Sequence, residues 1–171
     1  MTSALEIDVT ISCSAWIEAV PKVEAMCRDA ARAACEANVL APPVAAEASL
    51  VLADDAFVRA LNWDYRKLDE ATNVLAFTNT NTTGDAEENG ALGAPSLLGD
   101  VVVAYETAAA EAVAEAKSLA DHLCHLVVHG MLHLLGYDHQ TTAEADSMER
   151  LEVQVLCGLG VANPYEDRAE Q

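Results

Sequence analysis

Three histidines in the stretch HGMLHLLGYDH, His129, His133 and His139, have a spacing that can hold a metal ion. His129 and His133 are four residues apart, so on a helix their imidazoles share one face with Cβ atoms about 5–6 Å apart. That separation suits two nitrogens converging on one zinc ion at Zn–N distances of about 2.0–2.1 Å. Gly136 can end the helix in a left-handed conformation, and the chain can then turn through Tyr137 and Asp138 to return His139 to the same ion. Three neutral imidazoles leave the fourth tetrahedral position open to water, which is the catalytic rather than the structural type of zinc site. The expectation is one zinc per chain. The plain alternative, core or capping histidines without metal, leaves both the spacing and the helix-stopping glycine unexplained.

The same spacing occurs in zinc proteases, but Gly130 stands where such a protease keeps its catalytic glutamate. Zinc lowers the pKa of a water it holds to about 7, so hydroxide can form without a dedicated carboxylate base. Peptide hydrolysis also needs a proton delivered to a poor amine leaving group, which is the task of the absent glutamate. Phosphodiester cleavage instead needs charge stabilisation on phosphoryl oxygens, which a metal and a guanidinium can share. Gly130 is expected to leave space beside the metal and tilts the chemistry away from proteolysis.

Four further residues fall near this constellation. His125 continues the histidine stripe and reads either as a contact to a ligand or substrate or as a core histidine. His122 reads as a plain surface residue. Asp138 could orient a ligand histidine through its second nitrogen, shape the turn before His139, or act as a base. Asp100 could sit at the site or open a strand.

The elements that position these residues intermix in one small α+β domain. Leu5 to Ile11 alternates as a half-buried strand does, and Ala48–Ala53, Asn73–Phe77 and a run opening at Gly99-Asp100 supply three more strands. Helical stretches cover 15–37, with Pro21 as a first turn or a break, then Asp54, as N-cap, to about Arg66. Residues 106–135 read as two helices meeting near Lys117-Ser118, and Thr142 is expected to cap a last helix ending near Gly158, making about five in all. Thr78 to Pro95, with its GDAEENG run, reads as a mobile acidic surface loop, and NPYEDRAEQ as a loose tail.

At 171 residues, 52% of them hydrophobic, the chain can bury a core without a disulfide staple. No apolar run reaches the roughly 18 residues of a bilayer span, and the N-terminus lacks the basic and apolar regions of a signal peptide. Five scattered cysteines read as reduced thiols in a cytoplasmic protein. The net charge of −19, with nine basic residues, opposes long-range attraction to nucleic acid. Composition alone therefore argues against a nucleic-acid partner.

The motifs point the other way. HLVVHGMLHLLGYDH closely resembles the signature of the YbeY family, bacterial endoribonucleases of ribosomal RNA maturation. LNWDYR followed by TNVLAF, LLGDVVVAYETAAAEA and LGVANPYE resemble further blocks of that family, in its order, from about Leu50 to Glu166, with Ala76 in place of a usual serine. The resemblance implies a small mixed sheet packed with helices, zinc on His129, His133 and His139, and a functional arginine at Arg66, which by itself would read as a surface residue. It also implies a cytoplasmic enzyme acting on single-stranded RNA at the 3′ end of 16S rRNA and in ribosome quality control. The acidity suggests delivery on ribosomal particles, by a basic ribosomal protein or an assembly GTPase, with no membrane partner. Two other readings stay open: a ribosome-assembly factor with a mainly structural zinc, and a metallopeptidase-like hydrolase.

Overall fold

A computed structural model describes residues 4–37, 45–79 and 96–166. Strands β1 (Ala4–Ile11), β2 (Ala45–Ala53) and β4 (Ser96–Ala104) run parallel, and β3 (Val74–Thr78) pairs antiparallel with β4. The result is a four-stranded mixed sheet in the order β1-β2-β4-β3, with β3 at an edge. Successive residues of a strand point to opposite faces, and the two faces are covered unequally. Ile7, Leu50, Leu52, Val101 and Val103 meet the main core, under α2 (Val23–Ala37), α5 (Leu119–Leu134) and α6 (Thr142–Gly158). Ala53, Leu75, Val102 and Ala104 form a thinner layer with Val58 of α3 (Asp55–Arg66). Two short helices complete the described chain, α1 (Ala15–Ala19) and α4 (Tyr105–Ala114).

Local chemistry explains most boundaries. Asp54 accepts a hydrogen bond from Phe57 N at 2.9 Å, and α3 runs from there to Arg66, as expected. Ser118 accepts from Asp121 N at 3.1 Å and starts α5, just after α4 has ended. Several expectations need correction. Pro21 is a break: α1 and α2 are separate, with Lys22 left-handed (φ 56°) between them, so the described residues hold six helices. Thr141, not Thr142, caps α6, through a capping box with Glu144; the acidic residue three positions on marks which of the two threonines serves. β2 begins at Ala45 rather than Ala48, and β4 at Ser96 rather than Gly99. Pro42-Pro43 and all but the first two residues of the acidic loop lie outside the described residues.

All five cysteines are free thiols. Burial pushes the Cys27 thiol up to about 12 and that of Cys124 up to about 11, so both are unreactive packing groups at the core.

Candidate metal centre

Helix α5 carries His122, His125, His129 and His133 along one stripe, and its C-terminal end brings the last two to a cavity. There the helix stops as a left-handed glycine dictates: Gly136 has φ 106°, and Tyr137 N bonds back to Leu132 O at 3.0 Å. The turn swings His139 towards its partners. One ring nitrogen from each of His129, His133 and His139 lies within 4.8 Å of the others. His129 Nε2 and His133 Nε2 are 3.1 Å apart, close to the roughly 3.3 Å edge of a tetrahedron with zinc–nitrogen bonds. The cluster fits a small divalent ion.

Behind His129 stands a residue that the sequence reading missed. Glu152 of α6 is fully buried, and its Oε1 accepts a hydrogen bond from His129 Nδ1. A carboxylate only accepts, so Nδ1 carries the proton and Nε2 presents its lone pair to the cavity. Oε2 accepts from the Tyr165 hydroxyl and lies 3.2 Å from His125 Nε2. Burial pushes the Glu152 carboxyl up, but hydrogen bonds from His125 and His129 outweigh it and hold the group at about 2. Glu152 is therefore an anion locked in the core. For His133, burial comes first and neighbouring His129 and His139 second in pushing its pKa down, which keeps the ring neutral and able to ligate. The signal for Glu152 was available: a glutamate among Met148, Val155 and Leu156 on the apolar side of α6 is out of place unless something pairs with it.

The cavity is about 550 Å³. One wall is α5, with His129, Gly130 and His133, and the turn after it that carries His139; the other lining residues are Arg66 of α3, Thr72, Asn73, and Val74, Ala76 and Thr78 of β3. Gly130 does not simply leave room beside the metal. A Cβ added there would lie 2.6 Å from Val101 Cγ1, so the glycine lets α5 approach β4 closely. Close packing alone therefore disfavours any larger residue at this position, a glutamate included.

Over residues 10–160 the chain matches the family described as Endoribonuclease YbeY. A protein of that name from Paramagnetospirillum magneticum is 52% identical over 96% of this chain and 98% of its own length. Another, from Bradyrhizobium sp., is 44% identical over 94% of this chain and 92% of its own. The chain belongs to the YbeY family. It is accordingly an enzyme of the nuclease class of hydrolases. A solution structure from Thermotoga maritima overlays with a TM-score of 0.48 at 17% identity, covering 91% of both chains.

The remaining residues singled out in this YbeY-family sequence separate into groups. Arg66 is exposed at the end of α3 and lines the cavity. Among the described residues it has no ion-pair partner, whereas Arg59 on the same helix is held by Asp69 at 2.6 Å. Asp138 lines the cavity too, but its Oδ1 accepts from His139 N at 2.8 Å, the work of a turn residue. His125 is not among the cavity-lining residues; it packs against Glu152 and Tyr165 behind the ligands. His122 is not a surface residue: it is buried, with Nε2 2.7 Å from Glu111 Oε2. Asp100 lies beside Phe57, Tyr65 and Phe77, apart from the metal cavity, because its side chain shares the sheet face of Val102. The tail is not loose as far as Tyr165, whose hydroxyl completes the Glu152 network.

Proposed function

We propose that this protein is a zinc-dependent endoribonuclease that cuts single-stranded RNA in the cytoplasm, with one ion on His129, His133 and His139, and that it acts in 16S rRNA 3′-end maturation and ribosome quality control. The observation that carries this reading is one cavity lined both by three convergent imidazoles and by the Arg66 guanidinium, which has no ion-pair partner among the described residues. Zinc, when bound, supplies a Lewis acid for a phosphoryl oxygen and lowers the pKa of water. His129, held by Glu152, His133 beside it and His139, brought in by the turn, hold that ion in place. Arg66 binds a non-bridging phosphate oxygen and stabilises the charge that grows there in the transition state. Gly130 leaves the site without the carboxylate that would protonate an amine leaving group, so peptides are poor substrates.

The direct test incubates metal-loaded protein with single-stranded RNA and with casein, with and without chelator. Chelator-sensitive RNA cleavage and intact casein are expected; robust caseinolysis would overturn the reading, and metal-independent behaviour would favour a structural ion in an assembly factor. The net charge of −19 favours delivery by a partner, since an acidic surface complements basic ribosomal proteins better than free RNA. Precursor rRNA in small-subunit particles should be cut faster than the same RNA naked at matched salt. Equal rates would remove the delivery step and leave the cleavage chemistry standing.

A further inference from the structure

We propose that Asn73 is the residue by which this protein recognises the ribose 2′-hydroxyl of its substrate, and that Glu111 and buried His122 are the positioning residues that aim it. The inference rests on the endoribonuclease reading and adds to it a determinant of the sugar.

Asn73 lines the same cavity as Arg66 and the three histidines. Its backbone carbonyl is fixed by Ala104 N at 2.9 Å. Its side-chain Nδ2 donates to both carboxylate oxygens of Glu111, at 3.1 and 3.3 Å. That contact decides which way the amide points. A carboxylate offers no proton, so nitrogen must face Glu111 and Oδ1 must face away from it. Glu111 is held in turn: His122 Nε2 donates to its Oε2 at 2.7 Å. His122 is 4% exposed, and its buried Nδ1 has no hydrogen-bond partner among the described residues. Burying a half-satisfied imidazole costs free energy, which the metal site does not require, since His122 touches none of its ligands.

The chain from His122 through Glu111 to Asn73 thus turns Oδ1 away from Glu111 and leaves it as the acceptor that Asn73 can offer in the cavity it lines with Arg66. In an RNA backbone the phosphate and ring oxygens only accept; the 2′-hydroxyl is the single donor, and DNA lacks it. An acceptor placed beside the phosphate site therefore pairs with that hydroxyl and leaves a deoxyribose unmatched.

The test uses metal-loaded protein and one sequence in two sugars. KM is measured for the RNA from initial rates, and Ki for the deoxyuridine-containing DNA of identical sequence as competitor, so contacts to the bases cancel. For the wild type, Ki for DNA should exceed KM for RNA by about 3–10-fold, the worth of one neutral hydrogen bond. Asn73→Ala should bring that ratio close to one by raising KM for RNA, with Ki for DNA and zinc content unchanged. Glu111→Gln and His122→Gln should each lower the ratio part of the way, a shift that general loosening of the fold does not produce. If Asn73→Ala fails to fold, Asn73→Ser, too short to reach, carries the same expectation. A wild-type ratio preserved in a folded Asn73 variant overturns the proposal while the ribonuclease reading stands. Absence of RNA cleavage by the wild type instead removes the reading on which it rests.

Discussion

The two walls of the cavity are built on opposite plans. On the α5 wall the first ligand is backed by the core: His129 leans on fully buried Glu152, Glu152 on Tyr165 and His125, and Gly130 seats the helix against Val101. On the other wall Arg66 is exposed, and without an ion-pair partner among the described residues, at the last turn of a helix that covers the thin side of the sheet. The difference follows from what each wall must hold. A metal site needs its ligands in one geometry before the ion arrives, because each freely rotating imidazole would have to be ordered on binding. A wall that receives a flexible polyanion needs reach and an unneutralised charge, which an arginine on an open helix end provides.

Breaking the rigid wall at the ion itself should have the largest effect. His133→Ala is expected to lose most of its zinc, measured by elemental analysis of protein purified without chelator, and RNA cleavage with it. Full zinc occupancy in that variant would undo the ligand assignment. Breaking the open wall should leave the metal alone. Arg66→Ala is expected to keep zinc and its melting temperature while RNA cleavage falls by roughly 10²–10³-fold, as when one charge-stabilising donor is removed. Near-normal cleavage would return Arg66 to the status of an ordinary surface residue.

The support beneath the rigid wall can be tested without touching a ligand. Glu152→Gln keeps the side-chain volume but removes the anion that selects the His129 tautomer, and zinc affinity should fall by about 10–100-fold in a competition titration. The same variant should change the acid limb of stability. The Glu152 carboxyl sits at about 2 in the fold against an ordinary 4.5. Its contribution is therefore present above pH 4.5 and is lost as pH falls from there towards 2. Thermal melts of the metal-free protein across that window should slope less steeply in Glu152→Gln than in the wild type; parallel slopes would show that the buried carboxyl is not the group responsible.

The smallest effect distinguishes packing from chemistry at Gly130. Gly130→Glu places a Cβ 2.6 Å from Val101 Cγ1, so denaturant unfolding should report a loss of about 1–3 kcal/mol or more, in the range of an overpacked core. Its ribonuclease activity should drop without any protease appearing. A variant of unchanged stability would restore the simpler view that the glycine only clears space beside the ion.

What was legible in the sequence was local. Two histidines four apart, a glycine three residues after them and a histidine three beyond that determine a shared helix face and a returning turn, because helix pitch and left-handed backbone preference act over a few residues. Asp54 and Ser118 likewise mark helix starts through hydrogen bonds to residues three positions on. The tertiary structure alone decided the rest. Glu152 reaches His129 across 23 positions and Asn73 reaches Glu111 across 38, and no periodicity within a single element announces such a pairing. His122 read as surface because a histidine on a helix looks the same whether α4 or water faces it; only packing α4 on α5 buries it against Glu111. Gly130 was chosen by Val101, a residue on a strand 29 positions earlier, because the distance between a helix and a sheet is set by side-chain volumes from both.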